Sequence, residues 1–286
     1  MLPPPNLASS VCRPNLATPM PTSYSAETLL IEGADARAFA HAQFSSKVNP
    51  LATGQWQFSA WLDPQGRVRA LFHLLRLADD RYMLLLRGGS AATMVDALRR
   101  FVFRSKLTLT ALPPRTLATG PALPMHAIGD EAEALVLGCG THSLRIIAAG
   151  TGDTTWQPLQ LRAGWPWLPT QVLNELLPAA LSLQHLQAVA VDKGCYPGQE
   201  IVARLHFRNG HKRHLHSVTL SQPARAGDVL RHDDREVGCV LDVATTDDCV
   251  EALVVLSDDI AAQADDRRLA SLNDNLVIHL GTSWPA

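Results

Sequence analysis

The chain has 286 residues, of which 47% are hydrophobic and 18% charged, with a formal net charge of −2. That balance can bury a sizeable core, which excludes wholesale disorder, and it lacks the basic excess of a dedicated nucleic-acid-binding domain. No apolar run approaches the roughly 18 residues of a membrane-spanning helix, and no basic segment followed by a long apolar run marks a secretory signal. The five cysteines, Cys12, Cys139, Cys195, Cys239 and Cys249, are widely spaced and form no Cys-x-x-Cys. A disulfide framework and a four-thiolate zinc site are poor fits, and a cytoplasmic setting is expected.

Residues 1–23 are read as a proline-rich disordered tail, with six prolines and one charge, Arg13, among the first 22. Thr28–Ile31 suits a strand that Gly33 breaks, and the alanine-rich stretch 34–44 suits a short helix. Trp56, Phe58 and Ala60 alternate with polar residues before Asp63-Pro64-Gln65-Gly66. In that turn proline presets φ and glycine accepts positive φ. Val68, Ala70, Phe72 and Leu74 continue the period of two, Asp79-Asp80 turns the chain, and Tyr82–Leu86 reads as a buried strand. Met94, Leu98 and Phe101 recur at helical spacing after Ser90, and Leu107 and Leu109 alternate again. A break is expected near 112–120, then strands over 134–137 and 144–148 and a helix over Val172–Leu181. After Lys212, short apolar runs separated by Gly, Asp and Pro suit a small β-barrel or sandwich. The mixed order of strands and helices implies an α+β fold with a largely antiparallel sheet ahead of that last segment.

Charge is uneven along the chain. Residues 193–216 carry +4 and residues 217–286 carry −8. The basic island holds Lys193-Gly194-Cys195-Tyr196-Pro197-Gly198-Gln199-Glu200, in which two glycines and a proline force a loop crowded with functional groups. Ile201, Val202 and Leu205 after it fit one face of a helix, and a strand is also compatible. A helix starting near Gly198 would place Cys195 before its positive end, where free N–H groups and Lys193 favour thiolate. A small buried residue in a tight turn is the plainer account of the same cysteine.

His206, His211, His214 and His216 follow, without a standard zinc-ligand spacing, and no metal site is assigned. Their plainer account is a solvated, pH-sensitive surface. Arg204, Arg208, Lys212 and Arg213 can bind an anion or simply face solvent. Trp165-Pro166-Trp167 can stack on a planar heterocycle or belong to the core. No GxGxxG, Walker A, HExxH or GxSxG pattern occurs.

The octapeptide 193–200 resembles the K-G-C-[YF]-x-G-Q-E signature of the YgfZ family, which is related to the T-protein (aminomethyltransferase) of the glycine cleavage system. Leu62-Asp63-Pro64-Gln65-Gly66-Arg67-Val68 resembles the family's hairpin, and Phe103-Arg104-Ser105-Lys106 its Y/F-x-x-R-S-K-V element. The resemblance spans about residues 25–286. It implies two α+β modules, possibly interleaved, over residues 24–208 and a C-terminal β-barrel over residues 209–286, in a ring around a central channel that binds tetrahydrofolate. It also implies an accessory role in making or repairing iron–sulfur clusters of client enzymes, including a radical enzyme that modifies tRNA. On that basis Cys195 and Lys193 are the candidate reactive residues. Gln43, Tyr196, Gln199, Glu200, Arg204, Trp165 and Trp167 are the candidate folate-binding residues. Folate and iron–sulfur clients are the expected partners, with no direct nucleic-acid or membrane contact. The alternative is a folate-dependent one-carbon (aminomethyl-type) transferase. Two departures stand out: Lys47 occupies the aspartate position of the family's Q-G-Q-x-T-x-D segment, and Arg69 follows the hairpin where the T-protein carries an acidic residue.

Overall fold

The computed structural model describes residues 24–131, 134–147, 152–208, 210–246, 249–272 and 276–284. The expected tail over 1–23, with its Cys12, and position 148 at the end of an expected strand lie outside the described residues.

The chain opens with β1 (Ser25–Ala26), β2 (Thr28–Glu32) and α1 (Ala36–Gln43), then β3 (Gln55–Leu62), β4 (Val68–Ala78), β5 (Arg81–Leu86), α2 (Ala91–Arg99) and β6 (Thr108–Ala111). Next come β7 (Arg115–Gly120), β8 (Ile128–Glu131), β9 (Ala134–Gly138), β10 (Ser143–Ile147) and α3 (Trp156–Arg162). A long irregular passage leads to α4 (Gln199–Arg208). The last third holds β11 (Arg213–Leu220), β12 (Val229–His232), β13 (Arg235–Thr245), β14 (Val250–Ser257), α5 (Asp258–Ala261), β15 (Arg268–Leu272) and β16 (Leu276–Trp284).

Three sheets result, and the ladders among the described residues are antiparallel. The first has the order β3-β4-β5-β2-β6, the second β1-β7-β10-β9-β8 and the third β12-β13-β14-β11-β16-β15. The chain leaves the first sheet after Ala111 and enters the second at Arg115, yet β1 already belongs to the second through Ser25 opposite Thr116. The third sheet curls until its edge strands β12 and β15 approach each other. No helix among the described residues is long and apolar enough to cross a membrane.

The β3–β4 hairpin follows from its turn chemistry. Asp63 accepts from Arg67 N–H through Oδ1 at 2.8 Å and from Gly66 N–H through its carbonyl at 2.9 Å, and Gly66 adopts φ +79°. Alternation along this hairpin sorts two cores. Phe44, Trp61, Ala70, Phe72 and Leu74 face α1 and α2. Trp56, Phe58, Leu71 and Leu75 face a second core shared with Leu117, Leu137, Trp156, Trp165 and Leu253. That second core joins all three sheets.

The expected helix over Val172–Leu181 is not formed. A short 3₁₀ turn spans Thr170–Val172 and the chain then runs through irregular turns. Its backbone bonds outward: Asn174 N–H donates to Val68 O (2.9 Å), and Val68 N–H to Leu176 O (2.8 Å). Asn174 and Ser182 take positive φ, and Pro178 interrupts the stretch. The apolar spacing reflects packing against the shared core, not a helical face.

Two charged residues lie within the joint between sheets. Arg87, just past β5, is 0% exposed. It donates to Pro166 O (2.8 Å), Trp165 O (2.7 Å) and Gln160 Oε1 (2.7 Å), and its Nη1 lies 3.0 Å from His73 Nε2. Its guanidinium stands 4.9 Å from the Trp167 ring centroid. Burial lowers its pKa to about 10 and holds His73 well below the usual imidazole range. Asp242, buried on β13, accepts from Gln157 Nε2 (2.7 Å) and Val243 N–H (2.9 Å), and Gln157 also lies 2.5 Å from Tyr24 Oη.

Burial raises the Asp242 pKa to about 6. A carboxylate raised in the folded state gives its full stabilising contribution below the unfolded value near 3.8 and loses it as pH rises through 6. Replacing Asp242 with Asn keeps Oδ1 as the acceptor and removes the buried charge. The expected outcome is a higher Tm at pH 7.5, by up to about 3 kcal/mol in stability, and a flatter stability profile between pH 4 and 6. Thermal unfolding across that range checks it; a lower Tm at pH 7.5 overturns it.

Candidate functional site

The signature loop reaches back onto the end of α1. A helix ends with carbonyls that lack intrahelical partners, and the chain beyond α1 bends away as Phe44 becomes extended. The Lys193 ammonium fills this gap, donating to His41 O (2.6 Å), Phe44 O (2.5 Å) and Ser46 O (2.9 Å). It also stands 5.0 Å from the Tyr196 ring centroid. Burial lowers its pKa to about 8, while three carbonyl dipoles favour the charged form. The position is thus a cationic cap on a helix C-terminus, where the macrodipole also favours a cation.

Neighbouring contacts extend the seam. Ser45 Oγ donates to Ala188 O (2.7 Å), and Ala190 N–H donates to Ser45 O (2.9 Å). Lys47 pairs with Asp192 at 2.5 Å, and this pairing lowers the Asp192 pKa. The lysine that departs from the family's aspartate therefore meets the acidic residue preceding the signature.

The remaining signature residues shape the loop. Tyr196 is buried and donates to Ala190 O (3.0 Å), and burial raises its pKa. Gln199 Nε2 donates to Lys193 O (3.0 Å) and Val191 O (3.4 Å). Gly198 takes φ +79° against the β3–β4 turn. A Cβ there would fall 2.5 Å from Asp63 O and 2.7 Å from Gly66 Cα. Gly66 in turn abuts Ile201 of α4.

What these anchors leave outside is Cys195. It is a free, exposed thiol beside Gly194, whose Cα has open space around it. The chain enters α4 a few residues later, with Glu200 in its first turn. Glu200 and Arg204 are exposed one turn apart on α4, and Phe207 projects into solvent beyond them.

The structure brings Lys193, Tyr196 and Gln199 together as supports of the loop. Gln43 is the last residue of α1, between two carbonyls that Lys193 caps, and its Oε1 is buried without a partner. Trp165 and Trp167 lie elsewhere, around Arg87. Trp165 is 7% exposed and meets Phe58 and Trp56 edge-on, with centroids 5.1 and 5.9 Å apart. Half-buried Trp167 adjoins Tyr24 and Trp156. Beside Trp165, His73 Nδ1 and Gln160 Nε2 are buried with no partner.

Of the histidines, His206 is exposed on α4, and His214 Nδ1 lies 2.6 Å from Asp258 Oδ1. Burial lowers the pKa of His211 and His216. Among the described residues no group of three or more His, Cys, Asp or Glu side chains is disposed to hold a metal. Sequence reasoning missed Arg87, His73, Gln157, Gln160 and Asp242. The available signal was polar residues inside or directly after apolar strands, as in His73 within Val68–Ala78 and Asp242 within Arg235–Thr245.

No protein-family model matches the chain. An uncharacterized protein of Haemophilus influenzae is 29% identical over 255 residues, covering 84% of this chain and 90% of that protein. The tRNA-modifying protein YgfZ of Escherichia coli is 26% identical over 273 residues, covering 80% of this chain and 82% of its own. Its namesake from Aliivibrio fischeri is 25% identical over 234 residues, covering 72% of each. Among solved structures, the glycine cleavage system aminomethyltransferase T from Bartonella henselae matches with a TM-score of 0.69. That match covers 90% of this chain and 82% of that one, at 17% identity. The fold is therefore that of the aminomethyltransferase T-proteins. Within that class the signature loop and the sequence relatives point the same way: the chain is similar, at 25–26% identity, to proteins named tRNA-modifying protein YgfZ.

Two substitutions test the loop architecture. Lys193→Met strands three carbonyls and is expected to cost about 2–4 kcal/mol. It should also alter the rate at which a thiol reagent modifies Cys195. Gly198→Ala must push the loop off the hairpin and is expected to cost at least about 2 kcal/mol. Denaturant unfolding and alkylation kinetics check both; unchanged stability in either variant removes its anchoring role.

Proposed function

We propose that this chain is a tetrahydrofolate-binding accessory protein for the synthesis or repair of iron–sulfur clusters in client enzymes, including a tRNA-modifying radical enzyme. The observation that carries the reading is the division of labour in the signature. Lys193, Tyr196, Gly198 and Gln199 are committed to backbone contacts, while Cys195 is held out to solvent. A loop fixed so firmly around an exposed thiol suits a residue that must meet a partner, a cluster or a sulfur species. The name of the relatives, tRNA-modifying protein, agrees with a tRNA-related role.

In this reading the two α+β units and the curled third sheet form a ring, and the folate occupies its channel in a cytoplasmic protein. The residues present fit such a ligand. A pterin edge carries amide-like donors and acceptors, and unpartnered buried atoms exist at both expected places: Gln43 Oε1, and Gln160 Nε2 with His73 Nδ1 beside Trp165. Trp167 offers the more accessible indole, and Arg204 an exposed guanidinium for the glutamate tail. When bound, tetrahydrofolate supplies a one-carbon carrier.

The fold likeness favours a second reading, a one-carbon (aminomethyl-type) transferase. Against it, the position of the T-protein carboxylate holds Arg69, whose guanidinium stacks 4.0 Å from the Trp61 ring centroid. A cation there cannot serve as a base. Turnover with a purified amine donor decides for this reading, and its absence against it.

Titration of wild type and Cys195→Ala with tetrahydrofolate, followed by tryptophan fluorescence, should give saturable binding in both. In cells lacking the endogenous YgfZ protein, Cys195→Ala should fail to restore iron–sulfur enzyme activity. Absence of binding in both proteins removes the folate part, and full restoration by the variant removes the role of the thiol.

A further inference from the structure

A second feature lies on the first sheet's side of the molecule, in the connection from α2 to β6. Residues 99–106 read Arg-Arg-Phe-Val-Phe-Arg-Ser-Lys, four cations and no carboxylate in a chain of net charge −2. Val102 packs against the core, and the segment is pinned by successive turns: Phe101 N–H to Leu98 O, Val102 N–H to Arg99 O, and Ser105 N–H to Val102 O. Asp35 Oδ2 accepts from Lys106 N–H at 2.6 Å. Arg104 takes φ +62°, which lets the chain reverse there.

This fixed turn presents its aromatics outward. Phe103 is 78% exposed and Phe101 39%. Each carries an arginine 5.0 Å from its ring centroid, Arg104 on Phe103 and Arg100 on Phe101. Asp96 engages Arg99, but Arg100, Arg104 and Lys106 have no carboxylate in ion-pair range among the described residues. Burial first, and the nearby Arg100 charge second, lower the Arg69 pKa, so positive charge extends toward Trp61.

We infer that this turn is a docking surface for an unpaired strand of RNA. Cations without a carboxylate partner beside exposed aromatic rings match the two invariant parts of a single strand, its phosphates and its unstacked bases. A duplex offers the phosphates without free base faces. The expectation of no direct nucleic-acid contact rested on net charge, which averages this local patch with the acidic last third of the chain. The inference takes its biological setting from the proposed tRNA-related role and gives this chain a contact with the strand that is separate from the folate residues.

The test uses fluorescence anisotropy with the full chain and labelled 12-nucleotide RNA and DNA single strands of mixed sequence, an RNA duplex of equal length, and phosphatidylglycerol vesicles. Saturable binding of a single strand, tighter than of the duplex, is expected. RNA preferred over DNA is expected, and DNA bound as tightly as RNA or more tightly overturns the assignment to RNA. Phe103→Ala should weaken binding roughly 5- to 100-fold. Arg100→Gln and Lys106→Gln should each lower the salt dependence by about one phosphate contact. All three side chains are exposed, so folding should be retained, and tetrahydrofolate binding serves as the control. No saturable single-strand binding at low salt, equal affinity for duplex, insensitivity to Phe103→Ala, or binding to vesicles alone overturns the inference. Loss of strand binding with folate binding intact leaves the folate reading standing; strand binding without folate binding does the reverse.

Discussion

Three carbonyls at and just beyond the end of α1 need a donor, and Lys193 supplies it from about 150 residues further along the chain. With the Asn174–Val68 and Ser45–Ala188 bonds, that ammonium ties the irregular 163–198 passage to the first sheet and its flanking loop, and it sets where the signature loop can lie. Tyr196 then buries itself beside the lysine, Gln199 closes the loop on its own carbonyls, and Gly198 lets two backbones meet at the hairpin turn. Each of these contacts is ordinary in itself. Together they fix a short segment so that the Cys195 thiol, without a partner among the described residues, is presented to solvent.

A second constraint holds the three sheets together. Arg87 and Asp242 are buried without forming a direct ion pair, and each is surrounded by neutral acceptors or donors: carbonyls and Gln160 for the arginine, Gln157 and a backbone N–H for the aspartate. Satisfied hydrogen bonds make such burial tolerable, though less stable than an apolar joint of the same shape. The arrangement does specify a mutual orientation. Gln157 on α3 reaches both Tyr24 and Asp242, so the second sheet's entry strand, the helix and the curled sheet share one polar contact point.

The turn at Asp63–Gly66 and the alternation on either side of it were legible because both are local: a proline, a glycine and a period of two determine the hairpin. After Gly198 the local pattern admitted a helix or a strand, and the structure forms the helix. The stretch 172–181 was not legible, because its apolar spacing is helical while its hydrogen bonds go to Val68, a partner no local pattern reveals. The octapeptide signalled a functional loop through its composition, but the roles within it were opaque. Lys193 read as a group tuning the cysteine, whereas its ammonium is spent on α1. The polar hub around Arg87 was hidden for the opposite reason, since a charge next to an apolar strand ordinarily marks the strand's exit to solvent.

The contact of Gln157 with both Tyr24 and Asp242 also bears on how the protein is made. A ribosome delivers Tyr24 early and Asp242 near the end, so the joint cannot close while the chain is still emerging. Until β13 arrives, Tyr24 and Gln157 lack their acidic partner, and the first two sheets carry an apolar face intended for Leu253 and Val255. Local hairpins can form during synthesis, but completion of the shared core waits for the last strands. The nascent protein is thus most exposed to misassembly just before termination, the interval in which a chaperone would have most to shield.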